Sequence, residues 1–439
     1  MELRRDFLKY VSLNVIGMIG ISCYILADTF FVAKALGATG LAALNFSISF
    51  FSVMQGCGLM IGIGGATDFS LRRQEADGKN GDISFVHTVM LGSIAAALFL
   101  LIGIFLAEPL GRILGADATT LPYTKVYLQT ILCFAPAFLL NNILLAFVRN
   151  DNGPRLSMTA MLVSSFSNII LDYIFMFPLS MGIFGAAFAT GLSPVISIAI
   201  LLLHFKGRNQ GFHLMQCKLE IRRLGRIMAL GFSSLIGELA SAISLLTFNL
   251  IILGISGNIG VAAYGIIANI ALVATSVFTG TAQGLQPLAS RCYGQGEREG
   301  VGRLSCYAVK TAVFFAVAIY AVICIFAPAI ASIFNSEGSR RLSELAVEGM
   351  RIYFAGYFFA GISIVATALL SATAHVNKAM AIALCRSCVI LVPCVFLLSR
   401  LFKMTGVWLS FVVAEAGICA HGSFSGQIPP PLVRAYAGS

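Results

Sequence analysis

Apolar residues run along this chain in stretches of roughly 17 to 25, enough for a helix to cross about 30 Å of hydrocarbon. They occupy residues 11–35, 41–66, 85–107, 122–148, 156–178, 183–205, 227–254, 260–289, 306–332, 347–370, 378–399 and 404–420, with polar and basic residues gathered between them. This pattern predicts an all-α polytopic membrane protein of twelve transmembrane helices. Barrel strands would alternate apolar and polar positions, and runs such as "AAALFLLIGIFLA" do not. The last run, "TGVWLSFVVAEAGICA", is short and contains Glu415. It gives way to "HGSFSGQIPPPLVRAYAGS", so a truncated final helix and a disordered tail over 421–439 are expected.

Composition narrows the class. Of 439 residues, 58% are hydrophobic and 11% charged, against about 25% charged in an average soluble domain. The opening "MELRRDFLKYVSLNVIGMIG" sets basic residues before an apolar run that continues without a small-residue cleavage site, which predicts a retained first helix. The net charge of +10 would suggest nucleic acid only if the basic residues shared a soluble face; here they punctuate the spans. Lysines and arginines are denser in one set of loops, among them Arg4, Arg5, Lys9, Arg72, Arg73, Lys206, Arg222, Arg223 and Arg226, than in the set holding Lys34, Arg112, Lys125, Arg340 and Arg341. The positive-inside rule then puts both termini in the cytoplasm and the protein in the inner membrane, with the bilayer as partner and no nucleic acid.

The longest basic connection, "FKGRNQGFHLMQCKLEIRRLGR", falls at mid-chain. It divides an expected six-helix lobe (1–205) from a second (227–420), with 206–226 as the loop between them. At an offset of 220 residues, "ALGATGLAAL" aligns with "ISGNIGVAAY", placing Gly37 and Gly40 on Gly257 and Gly260, and Gly64 on Gly284. Six spans separate the repeats, so both halves enter the membrane in the same sense, the parallel type of transporter repeat.

Enzyme chemistry finds no footing. The histidines are dispersed, with no HExxH; the glycine-rich "GLMIGIGGATD" lacks the lysine of a phosphate loop; and Cys385 and Cys388 form a CxxC inside an apolar helix with no second pair. No cofactor is expected. Charges near the bilayer centre cost about 2.5 to 3.5 kcal/mol, which makes retained ones functional candidates. These are Asp28, Asp172 and Glu238, while Asp68 and Lys310 lie near span ends where snorkelling accounts for them, and Arg386 is left without a role. Asn168 and Asp172 are four apart, on one helix face. A carboxylate beside an amide oxygen suits a hard cation such as sodium, and a carboxyl group in low dielectric can equally hold a proton. Packing glue is the alternative for Asp172. For Glu238, following "LGFSSLIG", the choice is between a cavity acid and a structural acid bonded to serines.

These residues resemble the multidrug and toxic compound extrusion (MATE) family, in its branch of MepA-like pumps. The resemblance covers roughly residues 5–415 and is carried by "ADTFFVAKALGATGLAALN", "SNIILDYIFMFPLSMGIFGAAFAT" and "TAQGLQPLASRCYGQGE". It implies two pseudo-symmetric six-helix lobes and a secondary active exporter. Such an antiporter extrudes small cationic amphipathic compounds against inward H+ or Na+ by alternating access. It further implies a cation site at Asp28, Asn168, Asp172 and Thr190, holding Na+ if sodium is the coupling ion, and matches Glu238 to a seventh-span glutamate serving substrate or proton. The tenth-span acid of some sodium-coupled members is missing from "FFAGISIVATALLSATA". The alternatives are a flippase for lipid or lipid-linked oligosaccharide, for which a cationic cavity would be needed, and a non-transporting membrane scaffold. A monomer is expected.

Overall fold

The computed structural model describes residues 2–72, 79–206, 212–213, 215–334 and 339–424. Every regular element among them is helical. Ten helices are long and apolar enough to span a membrane: Glu2–Gly37, Thr39–Arg72, Gly81–Ile113, Pro154–Met176, Gly182–Lys206, Ile221–Gly257, Ile259–Gly294, Arg298–Ser332, Arg340–Ala372 and Leu391–Ala420. Leu121–Cys133 and Ala135–Asn150, bent by 49°, together make an eleventh. The bend falls where Pro136 enters, because its ring lacks an N–H and crowds the carbonyl four residues earlier. The twelfth expected span emerges from the run Leu391–Phe424, which is broken at Lys403 (φ 52°, ψ −127°). Its second arm therefore covers 404–424 and outlasts the predicted end; the expected tail lies outside the described residues from 425 onward.

Other breaks are single residues where the sequence predicts short loops. Helix runs unbroken through Glu2–Arg72 except at Gly37 (φ 62°, ψ −153°) and through Ile221–Gly294 except at Gly257 (φ 59°, ψ −155°). Only glycine enters this region without steric penalty. The two glycines are the pair that the 220-residue offset superimposes, and their backbone angles agree within a few degrees.

On the third span Ile94, Leu98, Leu101 and Phe105, spaced along one helix face, are exposed, as are Phe314, Val317 and Ile325 on the ninth. In water such stripes would have to be covered. With the span lengths they make this a multi-pass membrane protein.

The chain forms two compact units, Ile16–Glu238 with Tyr293–Gly296, and Met1–Val15 with Leu239–Cys292 and Glu297 onward. In the first, the seventh span crosses the second at backbone contact: a Cβ on Gly64 would strike the Ile227 carbonyl, and one on Gly231 the Met60 carbonyl. In the second, the chain start crosses the eighth span in the same way, with Gly280 against Val15 and Asn14, and Gly284 against Val11 and Tyr10. In lipid, helices associate through such close approach of small residues.

The described part of the basic mid-chain connection is held against the first unit. Phe212 is fully buried among Phe69, Phe85, Phe147, Phe205 and His204, with ring centroids 4.6 to 5.9 Å away. The Glu220 N–H donates to His87 Nε2 at 2.9 Å. Asp68 departs from the snorkelling expectation. It is fully buried, accepting from Ser84 (2.6 Å) and Arg72 (3.3 Å) and pairing with Arg226 (3.1 Å), so its charge is compensated in place.

Candidate functional site

Within the first unit, three spans present the residues singled out in the sequence. Asp28 lies on the first, Asn168 and Asp172 one turn apart on the fifth, and Thr190 on the sixth, which packs closely against the fifth. All four are buried, Asn168 and Asp172 completely. The Asn168 amide is oriented by its neighbours: Nδ2 donates to Asp172 Oδ2 at 3.1 Å, while the amide oxygen accepts from the Ser193 hydroxyl and the Thr190 N–H, each at 3.3 Å. The reverse orientation leaves a single 3.5 Å contact to the Thr190 hydroxyl.

Asp28 and Asp172 interact electrostatically across the gap between the first and fifth spans. Two tyrosines that the sequence reading did not select complete the surroundings. Tyr24, one turn before Asp28, and Tyr127, on the fourth span, both feel the two carboxyls, and Tyr127 also interacts with the Thr190 side chain. Tyr24 could have been found from its four-residue spacing to Asp28, and Ser193 from its three-residue spacing to Thr190. Nothing local in the sequence marks Tyr127.

One oxygen of each acid, Asp28 Oδ1 and Asp172 Oδ1, is buried without a hydrogen-bond partner. Buried polar groups are nearly always paired, and orphan carboxylate oxygens in low dielectric are strongly disfavoured as bare charges. Two such oxygens in one cluster, with an amide and a hydroxyl beside them, form a donor set that a proton or a hard monovalent cation would satisfy. Among the described residues no group of three or more His, Cys, Asp and Glu is placed to hold a metal ion.

Glu238, on the seventh span, is half-buried against Gly56 and interacts electrostatically with Tyr24. That joins it to the same neighbourhood as the aspartates. Depressions lined by Pro328, Glu344 and Arg351 in the second unit, and by Phe105, Glu108 and Lys125 in the first, include none of these residues in their lining.

The second unit contains a charged cluster of its own. Arg386 Nε donates to Glu415 Oε1 at 2.6 Å, and the Ser363 hydroxyl donates to Oε2 at 2.9 Å. Three spans meet there, and only the fold pairs an arginine left without a role with an acid noted only as unusual.

Known proteins converge on one family. The family model MatE matches residues 15–174 and 234–397, one segment in each half. The multidrug export protein MepA of Staphylococcus saprophyticus subsp. saprophyticus is 26% identical over 399 residues, covering 90% of this chain and 87% of the relative. MepA of Staphylococcus haemolyticus is 26% identical over 406 residues, with the same shares covered. Among solved structures, an outward-facing multidrug resistance MATE family transporter of the MOP superfamily aligns with TM-score 0.91 at 23% identity, over 99% of this chain and 96% of that one. A MATE in complex with MaL6 aligns equally well, over 99% and 97%. With most of both halves matched and the whole helical architecture superimposable, the chain belongs to the MatE family.

Proposed function

We propose that this protein is a secondary active multidrug exporter, an antiporter that extrudes small cationic amphipathic compounds against an inward flow of H+ or Na+. The observation that carries this reading is the pair of orphan carboxylate oxygens on Asp28 and Asp172, held beside Asn168 and Thr190. The kinship with proteins named as multidrug exporters supports the cargo class.

The acids titrate as a pair, since each feels the other's charge. An ion entering between them satisfies both orphan oxygens and draws the first span toward the fifth. When it leaves, the two charges repel. Ion binding thereby favours one packing of the first span over another, and drug and ion can exchange only if they prefer different states. Glu238 supplies a further negative charge near Tyr24, suited to a cationic substrate. The excess of acids inside the spans favours cations over the phosphate headgroup of a flippase cargo, and Arg386 is matched by Glu415 rather than contributing net positive charge. In the cell this reading places the chain in the inner membrane, with both termini cytoplasmic, working as a monomer.

Reconstitution into proteoliposomes, with a sodium or a proton gradient imposed separately, tests it. Asp172→Asn should slow gradient-driven export at least about tenfold, the factor that 1.4 kcal/mol of lost coupling represents. Export at the wild-type rate would overturn the reading.

A further inference from the structure

We infer that Arg386 is an anion-recognition point in the second unit, where the carboxylate of a zwitterionic amphipathic substrate is held. The inference takes its cargo from the export reading above but rests on separate residues. Arg386 lies ten residues after Val376, where the helix leading into Leu391 begins, and Glu415 twelve residues beyond the break at Lys403. At 1.5 Å per residue they sit about 15 and 18 Å from the N-terminal ends of their helical arms, near the middle of about 30 Å of hydrocarbon. Transporter binding sites concentrate at this depth.

The pairing is unusual in its geometry. An arginine and a carboxylate normally meet fork to fork, through two parallel bonds. Here Glu415 touches only Nε, because its second oxygen is taken by Ser363. A guanidinium carries five N–H donors, and among the described residues the outer edge, formed by the two Nη groups, has no partner. Glu415 is 3% exposed and Arg386 25%, and no Nη atom is among the buried unpaired ones. The free edge thus opens to space, while the charge is neutralised from behind. The fork it presents matches a carboxylate.

The backbone supplies an independent sign. Arg386 is carried on a single π-helical turn, Cys385–Val389, closed by the bond from Ile390 N–H to the Cys385 carbonyl at 3.1 Å. Such a turn costs helix geometry and tends to occur where a side chain must be aimed for function. Two aromatic side chains lie within electrostatic reach of the pair. Tyr353 is stacked on Phe411 at 4.3 Å, and Tyr357 is tied to Thr275 and to the Ala271 carbonyl, each at 2.9 Å. Both tyrosines feel the Arg386 and Glu415 charges. A neutral ion pair accepts a zwitterion at less electrostatic cost than it would a bare anion, because the ligand brings its own compensating cation.

The test uses two dyes that differ in one group, rhodamine B with its free carboxylate and the ethyl ester of rhodamine B, bound to the purified full chain and read by fluorescence polarisation. Arg386→Gln alone would strand Glu415 and threaten folding. The double variant Arg386→Gln with Glu415→Gln leaves no charge unpaired. The ratio of affinities, rhodamine B over its ester, should fall about tenfold in the double variant, as expected on losing a charge-assisted pair. An unchanged ratio, or a wild-type protein that does not bind rhodamine B, overturns the inference. Absence of gradient-driven export by the wild-type protein, with this ratio behaving as expected, would count against the antiport reading and leave the subsite standing.

Discussion

At the scale of single residues, chemistry is decided by which polar atoms are left without partners. Asp28 and Asp172 each have one oxygen satisfied by nothing in the protein, whereas buried Asp68 has both oxygens engaged. That contrast makes the first pair candidates for ion exchange and the last a tie between helices, although all three are intramembrane or near-membrane acids. Asp172→Asn should accordingly weaken coupling without weakening the fold, since no protein contact to the lost charge exists at Oδ1. Thermal unfolding of the purified variant within a few degrees of wild type, beside the export loss, is the expected combination.

Outside the spans, Asp117 shows a carboxylate whose role is local. It accepts from the backbone and hydroxyl groups of both Thr119 and Thr120 at 2.8 to 3.0 Å, in the turn between the third and fourth spans. The Thr120 N–H, followed by the threonine hydroxyls, holds its pKa down to about 2. A folded pKa below the unfolded value of about 3.9 means that its contribution is complete above that value and disappears as pH falls through the folded pKa. Amide exchange at Thr119 and Thr120 should therefore be protected from neutral pH to about 4 and open toward pH 2. Equal protection in Asp117→Ala at neutral pH would show the cap to be irrelevant.

Among the elements, close helix crossings do the holding. Gly64 and Gly231 bring two spans to backbone contact in the first unit. A Val at either position has no side-chain end to displace, only a carbonyl, so each substitution should cost about 1 to 3 kcal/mol through overpacking. Lower melting temperatures for both Gly64→Val and Gly231→Val, with no such loss for Gly225→Val, where a Cβ meets nothing, would locate the effect at the crossing. The breaks matter as much as the crossings. Lys403 ends one span and starts another with a positive-φ backbone, inside the short interval 400–403, marked by Arg400 and Lys403, that the sequence leaves between its last two apolar runs.

At the scale of the whole molecule, repetition links the halves. The same glycine break occurs at Gly37 and Gly257, each with open space around its Cα. Alanine at either position meets no neighbour, so its cost is purely conformational, about 1 to 3 kcal/mol. Gly37→Ala and Gly257→Ala should lower the unfolding temperature by similar amounts. A large difference between them would mean that the two breaks are not equivalent. The spans, the repeat and the four-residue oxygen set were all legible in the sequence, because hydrophobic length, glycine register and helical spacing are properties of neighbouring residues. The apolar runs determined that this chain lives in a bilayer, and helical spacing determined that Asn168 and Asp172 share one face of the fifth span. Only tertiary structure could decide that Tyr127 leans on Thr190, that Asp68 is buried among arginines and that Arg386 meets Glu415. Apart from Arg72, one turn after Asp68 on the same helix, those partners lie on different helices, and which faces meet is fixed by packing that short-range periodicity does not encode.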